Sequence, residues 1–126
     1  MKRLSPDLWV PFLFILSLYF IPAISTATSR DIPKGQMIFE QRCAACHGFN
    51  AKGSYPMSKT LKVDPLVLDL TKPGTTHRSM VELQAVVSNG HYKMPKHREA
   101  LTPRQIRAVV KYLRSLQTSL AYRSPR

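Results

Sequence analysis

At 126 residues the chain is sized for one small domain, and two cysteines are too few for the disulfide framework of a small secreted scaffold. Lys and Arg outnumber Asp and Glu 19 to 7, a formal net charge of +12, which favours acidic partners and raises nucleic acid as a rival. The rival is weak: the basic residues are dispersed and no nucleic-acid-binding motif accompanies them.

The N-terminal segment has the pattern of a secretory signal. Lys2 and Arg3 precede the almost wholly apolar run Leu8 to Ile21, and Ser25-Thr26-Ala27 offers small residues at a cleavage position, with Ala23-Ile24-Ser25 competing. Residues 1–27 are therefore expected to be a signal peptide and residues 28–126 the working domain. An uncleaved anchor is the alternative, since Trp9 to Ile24 is nearly long enough to span a bilayer. Pro11, Pro22 and Asp7 make it a poor spanning helix. Cleavage predicts a periplasmic protein, with membrane association only if the segment is retained. The domain keeps 17 Lys and Arg against 6 Asp and Glu.

A first helix is expected from Pro33, suited to a first turn, through Arg42. Gly35, Phe39 and Cys43 recur every four residues along one side of it. It leads into Cys43-Ala44-Ala45-Cys46-His47, and C-x-x-C-H is the attachment pattern of a c-type haem. Positions i, i+3 and i+4 share a helix face, so two thiols and one imidazole can meet a single porphyrin edge. The thiols add across the haem vinyl groups as thioethers, and His47 binds the iron.

Other uses of the same residues fit less well. A dithiol redox couple is disfavoured because the intervening dipeptide has no Pro or Gly and no βαβ pattern surrounds it. Structural zinc wants four protein ligands, and there is no third cysteine. His77, His91 and His97 could complete a Cys2His2 set but show no finger-like spacing. Export suits haem attachment, which takes place outside the cytoplasm.

Residues 48 to 78 show little periodicity and many turn formers, among them Gly48, Gly53, Pro56, Pro65 and Pro73. A loop this long in a small domain is expected to wrap something, and haem would fill that role. Pro65 to Thr71 reads as an extended segment or short helical turn rather than a partnerless strand. A second helix starts at the capping box Ser79-Met80-Val81-Glu82, buries Leu83, Val86 and Val87, and stops at Asn89-Gly90. A third is capped by Thr102 and Gln105, with Pro103 in its first turn. Ile106, Val109, Val110, Leu113 and Leu116 line its apolar face, and Arg104, Arg107, Lys111 and Arg114 form a solvated basic stripe opposite.

An iron that transfers electrons without binding gases needs a sixth ligand. Met94, in Gly90-His91-Tyr92-Lys93-Met94-Pro95, is the leading candidate, and His/Met ligation raises the potential. Met57 and Met80 compete with it, and His91 or His97 would give a bis-histidine centre.

Taken in order, these segments resemble the small class I c-type cytochromes of bacteria over nearly all of residues 31–118. The residues that carry the resemblance are Gly35 and Phe39 in the first helix, Cys43 to Gly48, the proline-containing loop, the helix ending in Gly90, Met94-Pro95, and the closing helix with Tyr112. The resemblance implies an all-α cytochrome c fold, three main helices and loops wrapped around one covalent haem c. It gives Cys43 and Cys46 the thioethers, His47 the proximal bond and Met94 the distal bond to iron. It also implies that a proline carbonyl, here that of Pro56, accepts a hydrogen bond from the proximal imidazole, although the usual Gly-Pro dipeptide is absent. First and last helices are expected to cross with Gly35 and Phe39 against Tyr112. The implied role is a non-enzymatic, single-electron carrier meeting acidic redox donors and acceptors transiently around an exposed haem edge, where Lys52, Lys59, Lys93, Lys96 and Arg98 are candidates to gather. A haem subunit docked permanently on a dehydrogenase or oxidase, and a haem sensor or peroxidase-like protein, are the alternatives.

Overall fold

The computed structural model describes residues 31–123, so the expected signal peptide at 1–27 lies outside the described residues. Six α-helices follow in order: α1 (Asp31–Arg42), α2 (Ala44–His47), α3 (Tyr55–Leu61), α4 (Pro73–Thr76), α5 (Met80–Asn89) and α6 (Pro103–Arg123). A 3-10 turn at Pro65–Leu68 lies between α3 and α4. Among the described residues there is no strand, only an isolated bridge between His91 and Met94.

The architecture is set by the crossing of α1 and α6, the most extensive helix pairing in the chain. Gly35 makes it possible: a Cβ there would lie 2.2 Å from the Ala108 carbonyl oxygen and 2.9 Å from the Tyr112 Cβ. One turn further on, Phe39 meets Tyr112 edge-on, with ring centroids 5.6 Å apart at 63°. Phe39 and Val110 are only 2% and 1% exposed, and Ile38, Ile106, Val109 and Leu113 pack with them into one core. Lys111 of α6 closes the crossing with a 2.8 Å ion pair to Asp31. The expected meeting of Gly35 and Phe39 with Tyr112 is thus realised.

Caps fix where the later helices begin. The Ser79 hydroxyl accepts from the Glu82 N–H at 3.2 Å, and the Glu82 carboxylate accepts from the Ser79 N–H at 2.6 Å. Thr102 and Gln105 repeat the arrangement before α6, at 3.3 and 2.8 Å. Leu83 of α5 is buried as expected, whereas Val86 and Val87 are only half-buried; both line a cavity, and Val87 also packs against the core.

Residues 48–78 hold more structure than their composition signals. Pro56 sits in the first turn of α3, and Lys62 ends that helix in a left-handed conformation at φ 53°. Asp64 caps the 3-10 turn by accepting from the Leu66 N–H at 2.8 Å, which settles Pro65–Leu68 as a helical turn. The segment that follows is fastened to α6. Gln117, itself buried, donates to the Leu70 carbonyl at 2.7 Å, and Arg114 donates to the carbonyls of Thr76, at 2.8 Å, and Arg78. The expected basic stripe of α6 therefore divides: Arg104 and Arg107 are exposed, while Lys111 and Arg114 hold other elements in place.

Candidate functional site

Helix α1 breaks at Cys43 and restarts as the single turn α2. The Cys43 carbonyl accepts from the N–H groups of Cys46, at 3.1 Å, and His47, at 2.9 Å, so one turn puts the two thiols and the imidazole side by side. Gly53 and Ser54 donate to the His47 and Cys46 carbonyls at 2.8 and 3.0 Å. This closes the turn and leaves the three side chains facing inward.

The His47 ring is oriented by the Leu68 carbonyl, 2.8 Å from Nδ1. A carbonyl only accepts, so Nδ1 carries the proton and Nε2 presents its lone pair, the form that binds a metal. Burial holds the imidazole pKa below its ordinary value, the Leu68 bond partly opposes this, and nearby His97 adds to it. The Pro56 expectation is corrected here. The Pro56 carbonyl lies within α3 and accepts from the Thr60 hydroxyl at 3.1 Å, so the acceptor opposite His47 comes from the end of the 3-10 turn. A main-chain acceptor carries no side-chain signature, and nothing in the residue types near Leu68 marks it.

Cys43 and Cys46 are not joined in a disulfide, and both are half-buried. Burial pushes the Cys43 pKa up to about 11, with Cys46 reinforcing the shift and Arg42 opposing it. A dithiol redox centre needs the reverse, a depressed thiol pKa that supplies thiolate at neutral pH. Among the described residues no three His, Cys, Asp or Glu side chains converge on a metal-ion site.

These groups open onto a cavity of about 360 Å³, within the size range of cofactor pockets. Its walls are largely apolar: Phe39, Leu68 and Leu70 on one part, Leu83, Val86 and Val87 of α5, and Val109, Val110 and Leu113 of α6. Met94 lines the same cavity as Cys43, Cys46 and His47; Met37, Met57 and Met80 do not. His91 and His97 also line it, and His77 does not. The Met94 loop is a tight turn in which the Met94 N–H donates to the His91 carbonyl at 2.8 Å and the His91 N–H donates back at 3.2 Å. Gly90 lets this turn leave α5 at φ +77°, where a Cβ would come within 2.6 Å of the Met94 carbonyl.

Of the five cations expected near an exposed edge, only Lys93 lines the cavity. Lys96 pairs with Glu99 at 2.6 Å, and Arg98 donates to Asn89 at 2.7 Å. Arg42 and Arg78, which that expectation did not name, line it as well.

A slot with greasy walls, two adjacent thiols and an imidazole with a bare Nε2 fits a flat macrocycle bound through two thioethers and one axial nitrogen. Fold and site together define a c-type cytochrome. Residues 30–113 match the family described as cytochrome c oxidase, cbb3-type, subunit III. A cytochrome c6 of Nostoc sp. is 33% identical over 98 residues, covering 78% of this chain and 82% of that protein. A cytochrome c6-like protein of Nostoc sp. is 32% identical over 117 residues, covering 90% of this chain and 92% of its own. The cbb3-type cytochrome c oxidase subunit CcoP of Azospirillum brasilense is 30% identical over 84 residues, 66% of this chain, and the match spans 28% of CcoP's length. The chain belongs to the cytochrome c family defined by that domain, and with it to the small class I c-type cytochromes. Its cofactor is covalently bound haem c with iron, and its fold is the all-α cytochrome c fold.

Proposed function

We propose that the protein is a periplasmic single-electron carrier whose haem is attached through Cys43 and Cys46 and held axially by His47 and Met94. One observation carries this reading: the same apolar cavity is lined by both thiols, the imidazole and, of the described methionines, Met94 alone. Haem c, when bound, supplies an iron that alternates between ferrous and ferric states.

The chain's own residues determine how that iron behaves. The Leu68 carbonyl fixes the ring plane and basicity of His47. The apolar walls from α5 and α6 would exclude water from a bound haem, and a Met94 thioether ligand would favour the reduced state. If His47 and Met94 both hold the iron, the bound haem would supply electron transfer and no open position for a substrate. The excess of 17 Lys and Arg over 6 Asp and Glu in residues 28–126 supports transient encounter with acidic redox donors and acceptors, faster at low salt.

Replacing Met94 with Ala tests the ligand assignment. The visible spectrum should change and the potential should fall; if both stay as they were, Met94 is not the ligand, and His91 and His97 become the next residues to replace. A second reading, a haem subunit resident in an oxidase complex, is favoured by the match to CcoP and to the family description. Sedimentation of the native protein from gently disrupted cells separates the two: a free monomer supports the carrier, and co-migration with a larger complex supports the subunit.

A further inference from the structure

The charge around the cavity is one-sided. Arg42, Arg78 and Lys93 line it, and among the described residues no Asp or Glu does. Haem c carries two propionate carboxylates on the pyrroles that do not bear its vinyl-derived bridges. Once Cys43 and Cys46 fix one edge, the carboxylates leave by another.

The three cations are not equivalent. Arg42 adjoins Cys43 in the chain, and its charge acts on Cys43 and His97, on the thioether side of the cavity. The Lys93 ammonium is taken up by the Leu61 carbonyl at the end of α3. Arg78 has only its Nε engaged, donating to the Gly74 carbonyl at 3.0 Å, and no other described residue accepts from its terminal amino groups. Its main chain is held firmly: Arg114 of α6 donates to the carbonyls of Arg78 and, at 2.8 Å, Thr76. A planar fork on a fastened backbone suits bidentate pairing with a carboxylate, and the exposed position of Arg78 lets both partners stay ionised.

We propose that Arg78, with its backbone set by Arg114, is the residue that anchors a haem propionate. The assignment rests on haem attachment through Cys43 and Cys46. Arg114 is a positioning residue in this scheme, because it touches the backbone of Arg78 and not the haem.

A guanidinium a few ångströms away lowers a carboxyl pKa by about 1–3 units, so the anchored propionate stays charged well into the acidic range. Reduction of the iron raises that pKa, so the potential climbs as pH falls through the protonation step. The test is potential against pH for the Arg78→Gln, Arg78→Lys and Arg42→Gln holoproteins. A pyridine haemochrome assay first confirms one covalent haem per chain, so a failure of attachment is read apart from a failure of the anchor. In Arg78→Gln the climb should move to higher pH by about one unit or more, in Arg78→Lys it should lie between that variant and the parent, and in Arg42→Gln it should stay in place. If Arg78→Gln does not retain haem, Arg78→Lys carries the test, and its climb must lie above the parent's. Superposition of the Arg78 curves on the parent, or an Arg42→Gln shift as large as that of Arg78→Gln, overturns the assignment.

Discussion

The crossing of α1 and α6 and the stretch from Gly48 to Leu101 bury their apolar residues in different ways. At the crossing, protein packs on protein: Gly35 against Ala108, Phe39 against Tyr112, Val109 and Val110 closing the seam. In the intervening stretch Ala51, Leu83 and Leu101 join that core, while Val63, Val67, Val86 and Met94 line the cavity. The first region packs mainly on itself, and the second divides its apolar residues between that core and the haem cavity. The two should therefore respond unequally when the cofactor or a side chain is removed.

The largest difference is expected from removing the haem. In a Cys43→Ala/Cys46→Ala chain, amides between residues 48 and 101 should lose most of their hydrogen-exchange protection, while the facing turns of α1 and α6 keep a measurable part. Uniform loss, or uniform retention, would erase the distinction. Phe39→Ala strikes the seam itself, and by large-to-small precedent should cost about 3–5 kcal/mol in denaturant unfolding of the holoprotein. Arg114→Gln strikes the join between the regions and should cost about 1–3 kcal/mol, with exchange accelerated at residues 70–78 ahead of the rest. Ser79→Ala removes one cap from α5, and a loss of about 1 kcal/mol should appear in the same assay.

The smallest effect is electrostatic. The hydrogen bond from Lys111 holds the Asp31 carboxyl below its ordinary pKa, with the positive charge of the same lysine assisting. A depressed carboxyl pKa contributes stability above the unfolded-state value, and that contribution fades as pH falls through the folded-state value. Asp31→Asn should lower the neutral plateau of the stability curve slightly and flatten its acid limb, so that variant and parent converge as pH falls through the folded-state value. A steeper acid limb in the variant would contradict the pairing.

The same division explains what could be read from the residues alone. Helices α1, α5 and α6 were legible because their apolar residues recur at helical spacing, and because Pro33, Ser79 with Glu82, and Thr102 with Gln105 mark their starts. The C-x-x-C-H turn was legible because covalent attachment needs those side chains at that spacing. Helix α3 was not, and the 3-10 turn was legible only as one of two alternatives: they span seven and four residues, too short to set up a period, and their inward residues answer to the cavity. The acceptor for His47 was misassigned to Pro56 for a related reason, since a main-chain carbonyl can belong to any residue type. Arg114 read as part of a solvated stripe because its contacts, too, are mostly with carbonyls.

One consequence of the α1–α6 seam concerns the order of events in making the protein. Asp31 and Lys111 meet across 80 residues of chain, so the main packing surface joins the first described helix to the last. Until α6 has been delivered, α1 lacks its main packing partner, and the segments between them lack the frame on which they close. A chain clipped before Pro103 should remain open and protease-sensitive, which makes completion of the carboxyl-terminal helix the step that commits the molecule to its final form.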